Sequence, residues 1–206
     1  MKTKILLLLV FSLFLSCSND DSVGYENIPI DFQVPSNFPP VNYDFVNNPL
    51  TEKGFELGKK LFYDGRLSSD GIISCGFCHI QEDAFTHHGH TFSHGVGDAI
   101  GTRNAPPIQN MVFQTAFMWD GATTHLDLQP IIPFTSEIEM HGNFADAINM
   151  MKNDAAYVKL YKQAFPDGEI NSENMLKALA QFQIMLVSSN RSEEHTSELQ
   201  SRSAIS

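Results

Sequence analysis

The chain has 206 residues, 42% of them hydrophobic, and a formal net charge of −11. Length and composition suit one globular domain or a small pair. With 13 Lys and Arg against 24 Asp and Glu, the chain lacks the basic surplus that a nucleic-acid partner needs.

Lys2 and Lys4 precede an apolar run, Ile5 to Leu15, that is too short to span a bilayer. Ser16 supplies a small residue before Cys17. Residues 1–16 resemble a bacterial lipoprotein signal, with Cys17 as the lipidated N-terminus. Phe14 stands where a smaller aliphatic residue is usual, and a plain secretory signal with a free Cys17 is the alternative. Both imply export to the bacterial envelope, on the periplasmic side. The first adds a lipid anchor as the sole membrane contact. Residues 17–48 read as a tether and extended arm, because Pro29, Pro35, Pro39 and Pro40 block regular structure.

Residues 49–190 carry the domain. A helix is expected from Thr51, a plausible N-cap after Pro49, to about Asp64-Gly65, with Phe55, Leu57, Leu61 and Phe62 on its apolar face. Ser68 to Pro107 is loop-rich apart from the turn bearing "CGFCHIQEDAF". So long an irregular stretch calls for an organising element, and a large bound cofactor would serve. Three helical patterns follow. One starts at an Asn143 cap, one ("AAYVKLYKQAF") ends before Pro166, and one sets Met175, Leu179, Phe182 and Leu186 at helical spacing. No strand alternation is evident, so the expected fold is all-α with long loops. Residues 191–206 lack helical periodicity and resemble a translated sequencing-library adaptor. A natural disordered tail is the alternative.

Cys75, Cys78 and His79 form Cys-x-x-Cys-His, the attachment pattern of c-type haem. Two cysteines three apart lie on one side of a helical turn, where their sulfurs can bond the two vinyl groups of one porphyrin. The next residue then presents its imidazole to the iron. A disulfide would not call for His79. A thioredoxin-like pair expects a βαβ context, and zinc needs four ligands where the only other cysteine is the distant Cys17. The neighbouring His87, His88 and His90 read as solvated loop residues, and His125 and His141 as surface residues.

From about Pro35 to Asn190 the chain resembles the N-terminal half of the di-haem cytochrome c peroxidase family, which includes MauG-like enzymes. The resemblance runs through "NPLTEKGFELGKKLFYDGRLSSDGIISCGFCH", "HGVGDAIGTRNAPPIQN", "FMWDGATTHLDLQP" and "EIEM". It implies a cytochrome c-like haem domain that reduces hydrogen peroxide to water. Electrons would come from a small cytochrome or copper protein, and a homodimer of a full-length form is open. It implies covalent haem c on Cys75 and Cys78, with His79 proximal and His94 the distal histidine that leaves on activation. It also implies Trp119 between two haems, Gln129 and Glu139 as distal glutamine and catalytic glutamate, and Asn104 as a calcium ligand between domains. By residue type alone, Trp119 would be core and Gln129 ordinary surface. Glu139 would be a solvated acid, with Glu137 as a rival two residues earlier. The family's second haem motif does not occur here. A mono-haem electron carrier and a MauG-like oxidase of an organic or protein substrate are the competing readings.

Overall fold

A computed structural model describes residues 24–189 except Asn27, His88 and His90. Cys17, the signal-like segment and the tail from 190 onward lie outside the described residues. Six α-helices occur among them: α1 Glu52–Phe62, α2 Cys75–Cys78, α3 Ile131–Thr135, α4 Phe144–Lys152, α5 Ala155–Ala164 and α6 Ser172–Ile184. Short 3-10 turns join them, and the β-pairing among described residues is confined to isolated bridges. The fold is all-α and cytochrome c-like, as expected.

Local chemistry explains where the helices begin. Thr51 caps α1 by accepting from the Gly54 amide, and Asn143 caps α4 through the Ala145 and Asp146 amides. Asn171 caps α6 by accepting from Asn174. Each cap satisfies amides that have no partner inside the helix. Helix α1 stops at Phe62, slightly earlier than expected, because Asp64 caps a separate 3-10 turn over Gly65–Leu67. Helix α6 stops at Ile184, short of the expected end at Leu186 and beyond.

The core forms where α1 crosses α6. Gly54 and Gly58 allow the close approach: a methyl on Gly58 would fall on the Ala178 carbonyl, and one on Gly54 on the Gln181 side chain. Leu57, Leu61, Phe62, Met175, Leu179 and Phe182 are buried there, with Tyr157 and Tyr161 of α5 beside them. Fully burying an aliphatic side chain of this kind is worth about 1.5–3 kcal/mol, so this crossing is the main anchor of the domain.

The arm is irregular but packed from residue 28 onward. Pro29 bridges Thr51, Ile30 donates its amide to the Leu50 carbonyl at 3.0 Å, and Asn42 donates to Val112 at 2.9 Å. Phe32, Phe38 and Phe45 form a ring cluster with Phe113. The arm reaches α6 through a partly buried chain of hydrogen bonds. Gln181 donates to Asn48 Oδ1 at 2.8 Å, Asn48 donates to the Tyr43 hydroxyl at 2.7 Å, and that hydroxyl donates to Asp127 at 2.5 Å.

Candidate haem site

Ser74 caps the turn α2 by accepting from the Phe77 amide, and His79 follows as its C-cap. Cys75 and Cys78 sit one helical turn apart as partly buried free thiols. Burial pushes both thiols up, Cys75 to about 12 with the neighbouring Cys78 adding, and Cys78 to about 11 with the Glu139 charge adding. The cysteines are therefore neutral at physiological pH. His79 Nδ1 lies 2.9 Å from the Phe85 carbonyl oxygen, which fixes the ring and leaves Nε2 as the nitrogen that could coordinate a metal. Burial lowers the His79 pKa, partly offset by hydrogen bonds to the Phe85 and Pro106 carbonyls, so the ring is the neutral imidazole that a metal requires.

Two loops meet beside this turn. The first bridges His94 to Ile100, and the His94 carbonyl accepts from the Cys78 thiol at 3.5 Å. The His94 ring approaches Asp98 with Nδ1 2.8 Å from Oδ1. The second loop follows α3, where Glu139, Met140 and His141 bond back to Ser136 and Pro133. It leaves Glu137 and Ile138 exposed and turns Glu139 inward. The Glu139 Oε2 atom is buried without a hydrogen-bond partner, and desolvation raises its pKa.

The remaining candidates lie on another stretch of loop. Trp119 is 61% exposed and donates Nε1–H to the Asn104 carbonyl at 2.9 Å. This corrects the expectation from residue type, which placed the only tryptophan in the core: Met118 takes a left-handed backbone (φ 70) and turns the indole out along the loop. Asn104 donates Nδ2–H to the His87 carbonyl at 3.2 Å, and its Oδ1 is buried without a partner. Gln129 is only 7% exposed, which corrects its reading as a surface residue. It ends the 3-10 turn Leu126–Leu128 and points at α6, accepting from Gln183 at 3.1 Å and donating to the Met118 sulfur at 3.5 Å. The hydrogen bonds of Gln129 thus go to Met118 and Gln183, not to Glu139 or His94. His125 and His141 are exposed.

The donor set fits a covalently held haem. Two unpaired thiols share one turn, a neutral imidazole is oriented beside them, and a buried carboxyl oxygen lacks a partner. Phe77 and Ile138, next in the chain to Cys78 and Glu139, and Ile100, bridged to His94, are exposed apolar side chains. A family model described as di-haem cytochrome c peroxidase matches residues 52–201.

The chain belongs to that family. Its match runs past Asn190 into the tail. The methylamine utilization protein MauG of Methylophilus methylotrophus is 35% identical over 143 residues, 69% of this chain and 42% of that protein. Cytochrome c551 peroxidase of Pseudomonas aeruginosa is 34% identical over 141 residues, 68% of this chain and 40% of that protein. The crystal structure of a MauG-like protein associated with microbial copper homeostasis superposes with a TM-score of 0.73 at 33% identity, over 83% of this chain and 51% of that one. The chain therefore spans about half or less of these relatives. Family membership implies covalent haem c.

Sequence reasoning missed Gln183, which bonds Gln129. No local pattern could have revealed a partner 54 residues away.

Proposed function

We propose that this chain is the haem domain of an exported peroxidase that reduces hydrogen peroxide to water with electrons from a cytochrome or copper protein. The observation that carries the reading is the half-buried Glu139, whose Oε2 is buried without a partner and which lies near Cys78, while Glu137 is exposed. When bound, haem supplies the redox centre at which the O–O bond is broken. Cys75 and Cys78 would hold it by thioether bonds, and His79 would orient it through Nε2. Glu139 Oε2 takes a proton from one peroxide oxygen and returns it to the other, so the leaving group departs as water. A carboxyl whose pKa is raised by burial can do both. With two electrons and two further protons the balance closes at two waters. His94, held to Asp98, would be the histidine that moves aside to admit peroxide.

Asn104 Oδ1, buried and unpartnered, is a hard oxygen donor of the kind calcium takes, and Trp119 beside it faces a second haem-bearing part of the full-length protein. Export rests on the signal-like N-terminus, with Cys17 as lipid anchor; no helix among the described residues is long and apolar enough to cross a membrane. The likeness to MauG and to a MauG-like structure favours a second reading, oxidation of an organic or protein substrate at the same site. Turnover of the haem-loaded full-length protein tests the choice. The peroxidase reading expects two reduced cytochromes oxidised per peroxide consumed. Peroxide consumption coupled to an organic substrate, with the cytochrome left reduced, would favour the oxidase.

A further inference from the structure

We infer that Gln183 is a positioning residue for Gln129, fixing its amide with the NH2 group turned away from α6. The inference rests on the family resemblance, which makes Gln129 the distal glutamine of the proposed haem site. Gln183 occupies the last turn of α6 and is 5% exposed, against 7% for Gln129. Gln183 Nε2 donates to Gln129 Oε1 at 3.1 Å, which ties the oxygen end of the Gln129 amide to the helix. The nitrogen end reaches the Met118 sulfur at 3.5 Å, and a thioether is a weak acceptor.

Reversing both amides would preserve a bond between them, so the two orientations must be weighed. The reversed pair would aim the Gln129 oxygen at a thioether that donates nothing. It would also bury the two N–H groups of Gln183 where one oxygen now stands bare. Bare buried oxygens are tolerated better than bare buried N–H groups. The observed orientation is therefore the favoured one, and it leaves Gln129 with a buried NH2 ready for a stronger acceptor.

The turn beneath Gln129 is held at a second point. Asp127, two residues earlier, accepts from the Tyr43 hydroxyl, and the chain through Asn48 and Gln181 returns to α6. One helix thus sets the turn through Gln181 and the amide through Gln183. Gln129 then presents a preset hydrogen-bond donor to an oxygen or anion in the site, without having to reorient as it binds.

Fluoride, an anion that binds ferric haem and responds to hydrogen-bond donors near it, is the probe. The haem-loaded protein is titrated in a His94→Gly background, which keeps the distal side open. Gln129→Leu and Gln183→Met should each weaken fluoride about 10-fold, the worth of one hydrogen bond. The double variant should lose no more than Gln129→Leu alone, and the charge-transfer band of bound fluoride should shift alike in all three. Gln183→Leu removes the same donor with less bulk and serves if Gln183→Met does not take up haem. Unchanged fluoride affinity in the Gln183 variants, with Gln129→Leu impaired, would overturn the positioning role. An unchanged Gln129→Leu would remove the haem-site reading of Gln129, and the positioning role with it.

Discussion

The Val96 amide donates to the Glu139 carbonyl at 2.8 Å, so the loop carrying His94 and the turn carrying Glu139 are one unit. Gly95 makes the contact close. A methyl group there would fall on the Ile138 carbonyl and Glu139 backbone. Its backbone is extended (φ −118), so the constraint is space and not conformation. Gly95→Ala should therefore cost about 1–3 kcal/mol, as overpacking does, and separate the two loops. Thermal unfolding of the haem-loaded protein reads the loss, and an unchanged melting temperature would show that the loops are not tightly coupled.

Burial raises the Glu139 pKa above its unfolded value, so the folded state holds that proton more tightly. The group costs nothing below the unfolded carboxylate pKa. The cost grows as pH rises through that value and is complete above the folded pKa. Glu139→Gln should thus match the parent at low pH and exceed it in stability at neutral pH. Denaturant midpoints across pH 3 to 8, about the carboxylate range and above it, give the comparison. A variant less stable than the parent at neutral pH would show that the charge has a partner.

Asn104 Oδ1 should become a cation ligand in the full-length protein. Chelating calcium should then lower the melting temperature of the parent, and Asn104→Ala should abolish that response. A calcium response that survives in Asn104→Ala would place the ion elsewhere.

Cys75→Ser with Cys78→Ser should abolish covalent haem in cells that carry cytochrome c maturation machinery, as read by intact mass. Cys17→Ala should in the same cells release the protein from the membrane fraction. Haem that stays covalently attached, or partition that does not change, would contradict the respective assignment.

Much of this was legible in the sequence because it is local. Thr51 and Asn143 announce their helices as side chains that satisfy nearby amides, and Cys-x-x-Cys-His needs only one turn. Glu139 was separable from Glu137 only through family likeness. The turn that buries one and exposes the other depends on backbone bonds to Ser136 and Pro133 that carry no side-chain signature. Trp119 and Gln129 ran against their residue types for a related reason. A left-handed Met118 turns the indole outward, and a distant glutamine gives the Gln129 amide a partner that makes its burial affordable. The arm before Pro49 looked like a tether because its prolines forbid regular structure. They do not forbid packing, and Phe32, Tyr43 and Phe45 fasten it to the domain.

Peroxide turnover by Glu139→Gln tests the central claim most directly. Glutamine keeps the shape and removes the carboxylate, so the haem spectrum of the full-length protein should hold. Turnover should fall about 10²–10⁴-fold, the contribution of a positioned proton-transfer group. Glu137→Gln, at an exposed site, should turn over at the parent rate. Parental turnover in Glu139→Gln, with haem intact, would contradict the account.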